Sequence, residues 1–286
     1  MGDSSVAASA TDQRAAGAFV TSAAADTLRD VIRSAALWHI WTRLGMQDVR
    51  LKFRRSAIGA SWIFVNLAVM VLSIGFIYAN LLGQEPREFI PYLTIGMILW
   101  GYLTNSIVDG GNAFIHAEGY VKQISLPIYI YIFRSFVSIS VTMLITMLAF
   151  AIVALVYQLP VRPATLLAIP GLLMVMTTAL LLITIFAHLN ARFRDIAHMT
   201  TVGMQVLFYV TPVIFPASLL QHRRDLALVI DLNPLYHLLE VVRQPLLHAT
   251  AAAWHSYAAV GVVLLILFAA SAAVIGAFQR RIVFAL

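Results

Sequence analysis

The sequence predicts an all-α integral membrane protein: six transmembrane helices, an N-terminal amphipathic interface helix, and a short re-entrant or interfacial helix in the last external loop. Three observations carry that reading. Of the 286 residues, 61% are hydrophobic and only 11% charged, against about 45–50% and about 25% in a soluble domain. The mean hydropathy is +0.87. Apolar runs near the roughly 20 residues that a helix needs to cross hydrocarbon recur six times, and no stretch longer than about 60 residues lacks one. A separate soluble catalytic domain is therefore excluded.

Residues 1–25 are rich in Ala, Ser, Thr and Asp and have no continuous apolar core after a basic start, so they read as a disordered tail and not as a secretory signal. Residues 26–61 read as a cytoplasmic amphipathic and basic interface segment. Leu28, Val31, Ile32 and Ala35 recur at helical spacing with Arg29, Asp30 and Arg33 opposite, and Trp38 and Trp41 follow at headgroup depth. Arg50, Lys52, Arg54 and Arg55 then form a basic cluster before the first span, which suits an anionic leaflet; a solvated linker is the plainer alternative.

Residues 62–286 hold the spans, at about 62–82, 92–115, 131–157, 164–187, 199–215 and 254–278. The fifth is short, with Gly203 inside it and Pro212 near its end. An even count puts both termini on one side. That side carries 14 of the 19 Lys and Arg residues, the other only Arg87, Arg162, Arg223, Arg224 and Arg243. By the positive-inside rule the termini are cytoplasmic. In the long outer connection, 216–253, Asn233 is a good N-cap, Pro234 sits at the first helical position, and Leu235, Leu238, Leu239 and Val242 share one face until Pro245 stops the helix. A helix this short cannot span, so it is expected to lie in the outer interface or dip partway in, with His237 and Gln244 reachable from outside.

Much chemistry is ruled out. Cysteine is absent, which removes disulfides, thiolate metal sites, thiol nucleophiles and cysteine lipidation. The only lysines, Lys52 and Lys122, do not follow a glycine, so no phosphate-cradling P-loop exists and the chain reads as a transport subunit and not an enzyme. His116 and Glu118 lie two apart, on different helix faces, and no metal site is expected. The net charge of +6 reads as loops facing anionic lipid, with no nucleic-acid partner. Only Asp109 lies clearly within a span, which weakens a proton-driven carrier.

Polar stripes mark what remains. Asn66, Ser73 and Asn80 repeat every seven residues with Trp62 one turn before; Tyr102, Asn105, Ser106, Asp109 and Asn112 follow helical spacing, as do Ser135, Ser138, Thr142 and Thr146. Each must face protein or water. One reading is interhelical hydrogen bonding. The other is a hydrated translocation path, lined by Trp62, Asn66, Ser73, Tyr102, Asn105, Ser106, Asp109, Ser138 and Thr142, where hydroxyls, amides and flat aromatic faces suit a sugar chain without fixed charge. Between the second and third spans, HAEGYVKQISLPIYIY (116–131) has Gly119 and Pro127 bracketing a short amphipathic segment with Glu118, Tyr120, Lys122 and Gln123. It is either a connector or a rigid helix that takes mechanical work from a soluble partner.

RLKFRRSAIGASW at 50–62, EGYVKQISLP at 118–127, ARFRDI at 191–196, TPVIFP at 211–216 and LNPLYHLLEVVRQPLL at 232–247, in this order among six spans, resemble the membrane subunit of ABC-2 type polysaccharide exporters. These permeases move O-antigen, capsule or teichoic-acid chains, and the resemblance runs from about residue 43 to the end. It implies a homodimer in the bacterial inner membrane, docked to two copies of a soluble ABC ATPase that hold ATP and Mg, with no cofactor on this chain. The implied cargo is an undecaprenyl-diphosphate-linked glycan. Arg50, Arg54 and Arg55 would then meet its head group, because guanidinium forks bind phosphate oxygens bidentately, and the 118–127 segment would couple to the ATPase. The family's segment before the loop proline is often more basic; here it holds only Lys122. The alternatives are an ABC-2 permease for a small lipophilic drug or lipid, and a secondary carrier or membrane scaffold.

Overall fold

A computed structural model describes residues 29–54, 58–59, 61–117, 119, 126–217 and 229–285, and all regular structure among them is helical. The expected tail, Arg55, Glu118, Tyr120, Lys122 and Gln123 lie outside the described residues.

A helical stretch over 29–36 leads into α1 (Trp38–Lys52). Sequence placed both tryptophans in the headgroup layer, but only Trp38 is open, at 63% exposure. Trp41 lies against Phe133 with ring centroids 5.4 Å apart, and its Nε1 donates to the Ser34 carbonyl at 3.1 Å. Gly45 lets α1 approach closely, since a Cβ there would sit 2.8 Å from the Arg134 carbonyl and the Val137 side chain. One turn on, Arg134 Nε and Nη2 each donate to an Asp48 carboxylate oxygen at 2.6 Å, a bidentate pair. This face of α1 is thus a wall of the bundle.

Six longer helices and one short one follow: α2 (Ser61–Leu82), α3 (Pro86–Val108), α4 (Tyr129–Val156), α5 (Ala168–Arg192, entered through the 3-10 turn Pro163–Leu167), α6 (Asp195–Val210), α7 (Pro234–His248) and α8 (Trp254–Ala285). Among the described residues, four stretches are long and apolar enough to cross a membrane: Ser61–Tyr78, Tyr129–Val156, Pro163–Arg192 and Trp254–Phe278. The second and fifth expected spans differ from the sequence reading. α3 begins at Pro86, where proline loses nothing at the first helical position. It ends at Val108, giving way to a 3-10 turn, Gly110–Asn112, and a single helical turn, Ala113–His116. Close approach to α5 shapes that break, because a Cβ on Gly111 would lie 2.9 Å from Phe186 and 3.0 Å from Asn190. α6 is 16 residues long and stops before Thr211, whose backbone is extended ahead of Pro212.

α3 nonetheless runs from one end of the bundle to the other. It starts beside the 212–215 loop, where Tyr92 meets Pro212 and Phe215, packs Trp100, midway along it, on Phe208 near the end of α6 at 5.6 Å, and finishes near α1. The connections 83–86, 157–163 and 211–217 therefore gather at the α7 end, and α1 and residues 109–116 at the opposite end. The core is built on α3 and α5, with Leu93, Ile95, Leu99, Leu103, Val175 and Ile183 fully buried.

The structure departs most from the sequence reading at α7. Asn233 caps it as expected, its side chain accepting from the Leu235 amide at 2.9 Å. Pro245 does not stop it; the helix continues to His248 and ends at Ala249 in the left-handed region, φ 51°. Pro245 has no N–H for the Val241 carbonyl. That carbonyl instead faces Gly171 of α5, so closely that a Cβ at 171 would collide with it. Nor does α7 lie on a surface: His237, Leu238, Leu239, Glu240, Val241, Val242 and Arg243 are all buried. His237, expected to be reachable from outside, is 3% exposed, with Nδ1 3.0 Å from Ser256 Oγ and Nε2 2.7 Å from the Asp231 carbonyl.

Candidate functional site

The α3 and α4 stripes face one another across a groove that starts at the α1 end. Its mouth is a cavity of about 340 Å³, bordered by Asp48, Lys52, Asp109, His116, Arg134 and Ser138. Ile139 borders both this cavity and a narrower one of about 100 Å³ further along, where Tyr102, Asn105, Thr142 and Thr146 meet Leu67 of α2. The groove is charged at its mouth; inside, two hydroxyls, an amide and a phenol are set among the apolar Leu67, Met97, Ile98, Ile139 and Met143.

Of the nine residues read as a translocation path, five border this groove: Tyr102, Asn105, Asp109, Ser138 and Thr142. Some of their hydrogen-bonding capacity is met within the bundle, with Tyr102 OH 2.9 Å from Ser140 Oγ and Thr142 donating to the Ser138 carbonyl at 2.8 Å. Ser106 is buried and donates to the Tyr102 carbonyl at 2.8 Å. Trp62, Asn66 and Ser73 lie on the open face of α2, outside the groove. Arg50 and Arg54 are exposed beyond the mouth, whereas the cations that border it are Lys52 and Arg134. In the sequence Arg134 counts only among the charges that orient the chain, because its partner Asp48 lies 86 residues away.

Gly119 is exposed with open space around it, and Pro127 leads into α4, its carbonyl accepting from the Ile130 amide at 3.1 Å. The helices on either side of the 118–127 segment meet on one buried side chain of α5. The His188 ring meets Phe114 edge-on at 5.1 Å and Tyr129 at 6.0 Å, and its Nδ1 lies 2.7 Å from the Thr184 carbonyl. Beside it Asn190 donates to Asn112 at 3.2 Å. A search for metal-ligand spacing passes over His188, because its role is packing.

At the α7 end lies a larger cavity of about 600 Å³, walled by the start of α3, by Tyr157–Pro160 and by Tyr236, Glu240 and Gln244 of α7. Arg243, 1% exposed, braces it from beneath. Its Nη1 donates to Tyr92 OH at 2.7 Å and to the Pro212 carbonyl at 3.1 Å, and it lies 3.4 Å from Glu240 Oε1. The guanidinium carbon sits 3.9 Å from the Tyr92 ring centroid, a cation–π contact out of water. Gly96 leaves room for Arg243, which a Cβ would take. Gln244 Nε2 donates to the other Glu240 oxygen at 2.9 Å. Burial, with the Glu240 charge adding, pushes the Tyr236 phenol above its usual range, so that it is a neutral hydroxyl.

Residues 41–247, from within α1 to near the end of α7, match the ABC-2 type transporter family. This stretch takes in both ends of the groove and the α7 cavity. Among similar proteins, the O-antigen export system permease protein RfbA of Myxococcus xanthus is 22% identical over 197 residues, 68% of this chain and 75% of that protein. An O-antigen export system permease protein RfbA of Klebsiella pneumoniae is 22% identical over 200 residues, 66% of this chain and 73% of that one. With a match over well more than half its length, a multi-pass arrangement of apolar helices and no phosphate-binding loop of its own, the chain belongs to the ABC-2 type transporters, as a membrane transport subunit.

Proposed function

We propose that the chain is the permease subunit of an ATP-driven exporter that moves a lipid-linked polysaccharide across the bacterial inner membrane. It acts as a homodimer, each copy docked to a separate soluble ATPase, and the cargo is an undecaprenyl-diphosphate-linked glycan. The observation that carries this reading is the α3–α4 groove, with charge at its mouth and, set among apolar side chains within, the Tyr102 phenol, the Asn105 amide and the Thr142 and Thr146 hydroxyls. The names of the RfbA relatives point the same way. Asn66 and Ser73, uncovered on α2, need protein or water beside them in a membrane, which a second copy or the path supplies. The end-to-end course of α3 adds a crossing to the four apolar spans; with α6 as the sixth, both termini lie in the cytoplasm and the α1 end is the cytoplasmic one.

In this scheme the lipid diphosphate meets Arg50, Arg54 and Arg55 near the groove mouth, and ATP binding in the partner presses on the 118–127 segment. Phe114 and Tyr129 carry the displacement into α5 through His188. Depletion of the permease in its source cells tests the function: undecaprenyl-linked glycan should accumulate on the cytoplasmic side, and an ATPase should co-purify with the tagged chain. Unchanged surface glycan on depletion, with the ATPase still bound, would assign the protein to another cargo. Arg54→Lys with Arg55→Lys tests the head-group role, since lysine keeps the charge that orients the chain but loses the fork. Export at the wild-type rate in that variant leaves these arginines as topology signals alone.

A further inference from the structure

We propose that the cavity at the α7 end is a saccharide-binding subsite that holds uncharged sugar residues of the chain after they leave the groove, an inference that rests on the polysaccharide reading above. The cavity's volume of about 600 Å³ exceeds that of either part of the groove and falls within the range of about 300–1,000 Å³ of small-molecule sites. Its lining matches a polyol. Gln84, Gln158 and Gln244 each offer an amide that both donates and accepts, as a sugar hydroxyl does. Tyr157 and Tyr236 add flat aromatic faces for the C–H side of a pyranose ring.

Two features show that these walls are held in place. Gln244 is tied to the buried Glu240, and Glu240 in turn lies against Arg243, so the amide is presented from a braced floor. Gln158 sits in the left-handed turn that ends α4, φ 51°, where the Leu159 amide donates back to the Ala154 carbonyl at 3.0 Å, so the backbone that carries it is fixed. Charge selects among cargo components. Glu85, Glu88 and Glu240 border the cavity, with Arg87 in its wall and Arg243 beneath Glu240, which leaves a one-charge negative excess that disfavours the lipid diphosphate more than the glycan.

The test uses the purified homodimer in lipid nanodiscs and, as probe, di- to tetrasaccharides from a partial acid hydrolysate of the source cells' surface glycan. Binding is followed by saturation-transfer NMR and calorimetry. Tyr157→Ala should weaken binding about three- to tenfold, the loss of one aromatic face, while Tyr157→Phe retains it. Gln84→Ala, in the loop before α3 and outside any helix, should also weaken binding without touching the Arg243 brace. Hydrolysate binding unaffected by Tyr157→Ala and Gln84→Ala alike overturns the subsite. Binding of spermidine with none of the hydrolysate overturns it too, by making the cavity a cation site. Export of labelled glycan by the wild-type permease and its ATPase is measured in parallel. Export without hydrolysate binding removes the subsite and leaves the function standing, whereas no glycan export removes both.

Discussion

α2 and α7 invert the usual relation between apolarity and burial. α2 is almost wholly apolar, yet Phe76 is 75% and Leu81 73% exposed, and only 11% of its span is buried. Of the charged and histidine side chains of α7, Glu240, Arg243 and His237 are buried, and only the terminal His248 is exposed. In water this would be a misfolded arrangement. In a bilayer lipid tails solvate leucine as well as a protein core does, so apolar side chains gain little by packing inward. Polar groups have no such solvent and must find partners inside. α8 repeats the α2 pattern, with 11% of its span buried, and α3, polar along one side, is enclosed by its neighbours.

The largest effect that would break this contrast is expected at Arg243. Arg243→Ala strands Glu240 without its cation and frees the 211–216 loop, which should destabilise the bundle by about 3–5 kcal/mol. Thermal unfolding in detergent reads this. Arg243→Met combined with Glu240→Gln should recover part of the loss, because it removes the stranded charge, and no recovery would show that the brace acts through packing alone. Gly171→Ala comes next. Its methyl has no room against the Val241 carbonyl, and overpacking of this kind costs about 1–3 kcal/mol. The same unfolding curve measures it, with Gly261→Ala on α8, where open space surrounds the glycine, as the control.

A smaller effect is expected at the other end. Asp48→Asn breaks a half-buried bidentate pair and should cost about 1 kcal/mol, with faster proteolysis of the region before α2 as its readout. Proteolysis unchanged from wild type would mean that Gly45 and Trp41 hold α1 unaided. The smallest effect is expected on α2. Phe76→Leu, on the open face, should change stability by no more than about 0.5 kcal/mol. Asn66→Leu should likewise leave the fold intact while reducing export, and normal export in a folded Asn66→Leu variant would detach that stripe from the path.

Much of the helical frame was legible because spanning helices announce themselves as long apolar runs: α2, α4, α5 and α8 lie close to where hydropathy puts them. The errors cluster where a neighbour decides. Pro245 reads as a stop until Gly171 is seen to accept the carbonyl that the proline leaves unbonded. His237 reads as a helix residue reachable from outside until Ser256 and the Asp231 carbonyl take both ring nitrogens. The stripes on α3 and α4 were visible as periodicity, and their meeting in one groove follows from the packing of those two helices. Trp62, Asn66 and Ser73 show the same periodicity but do not border the groove.

Sequence alone determined the solvent of this protein, its class and the residues available for chemistry. Composition, cysteine content and the two lysines are properties of the chain whatever its shape. Tertiary structure decided which polar residues meet. Asp48 with Arg134, His188 with Phe114 and Tyr129, and Tyr92 with Arg243 are pairs separated in sequence by up to 151 residues. Such pairs have no periodic signature, because whether two side chains meet depends on how their helices pack and not on the order of residues within either one.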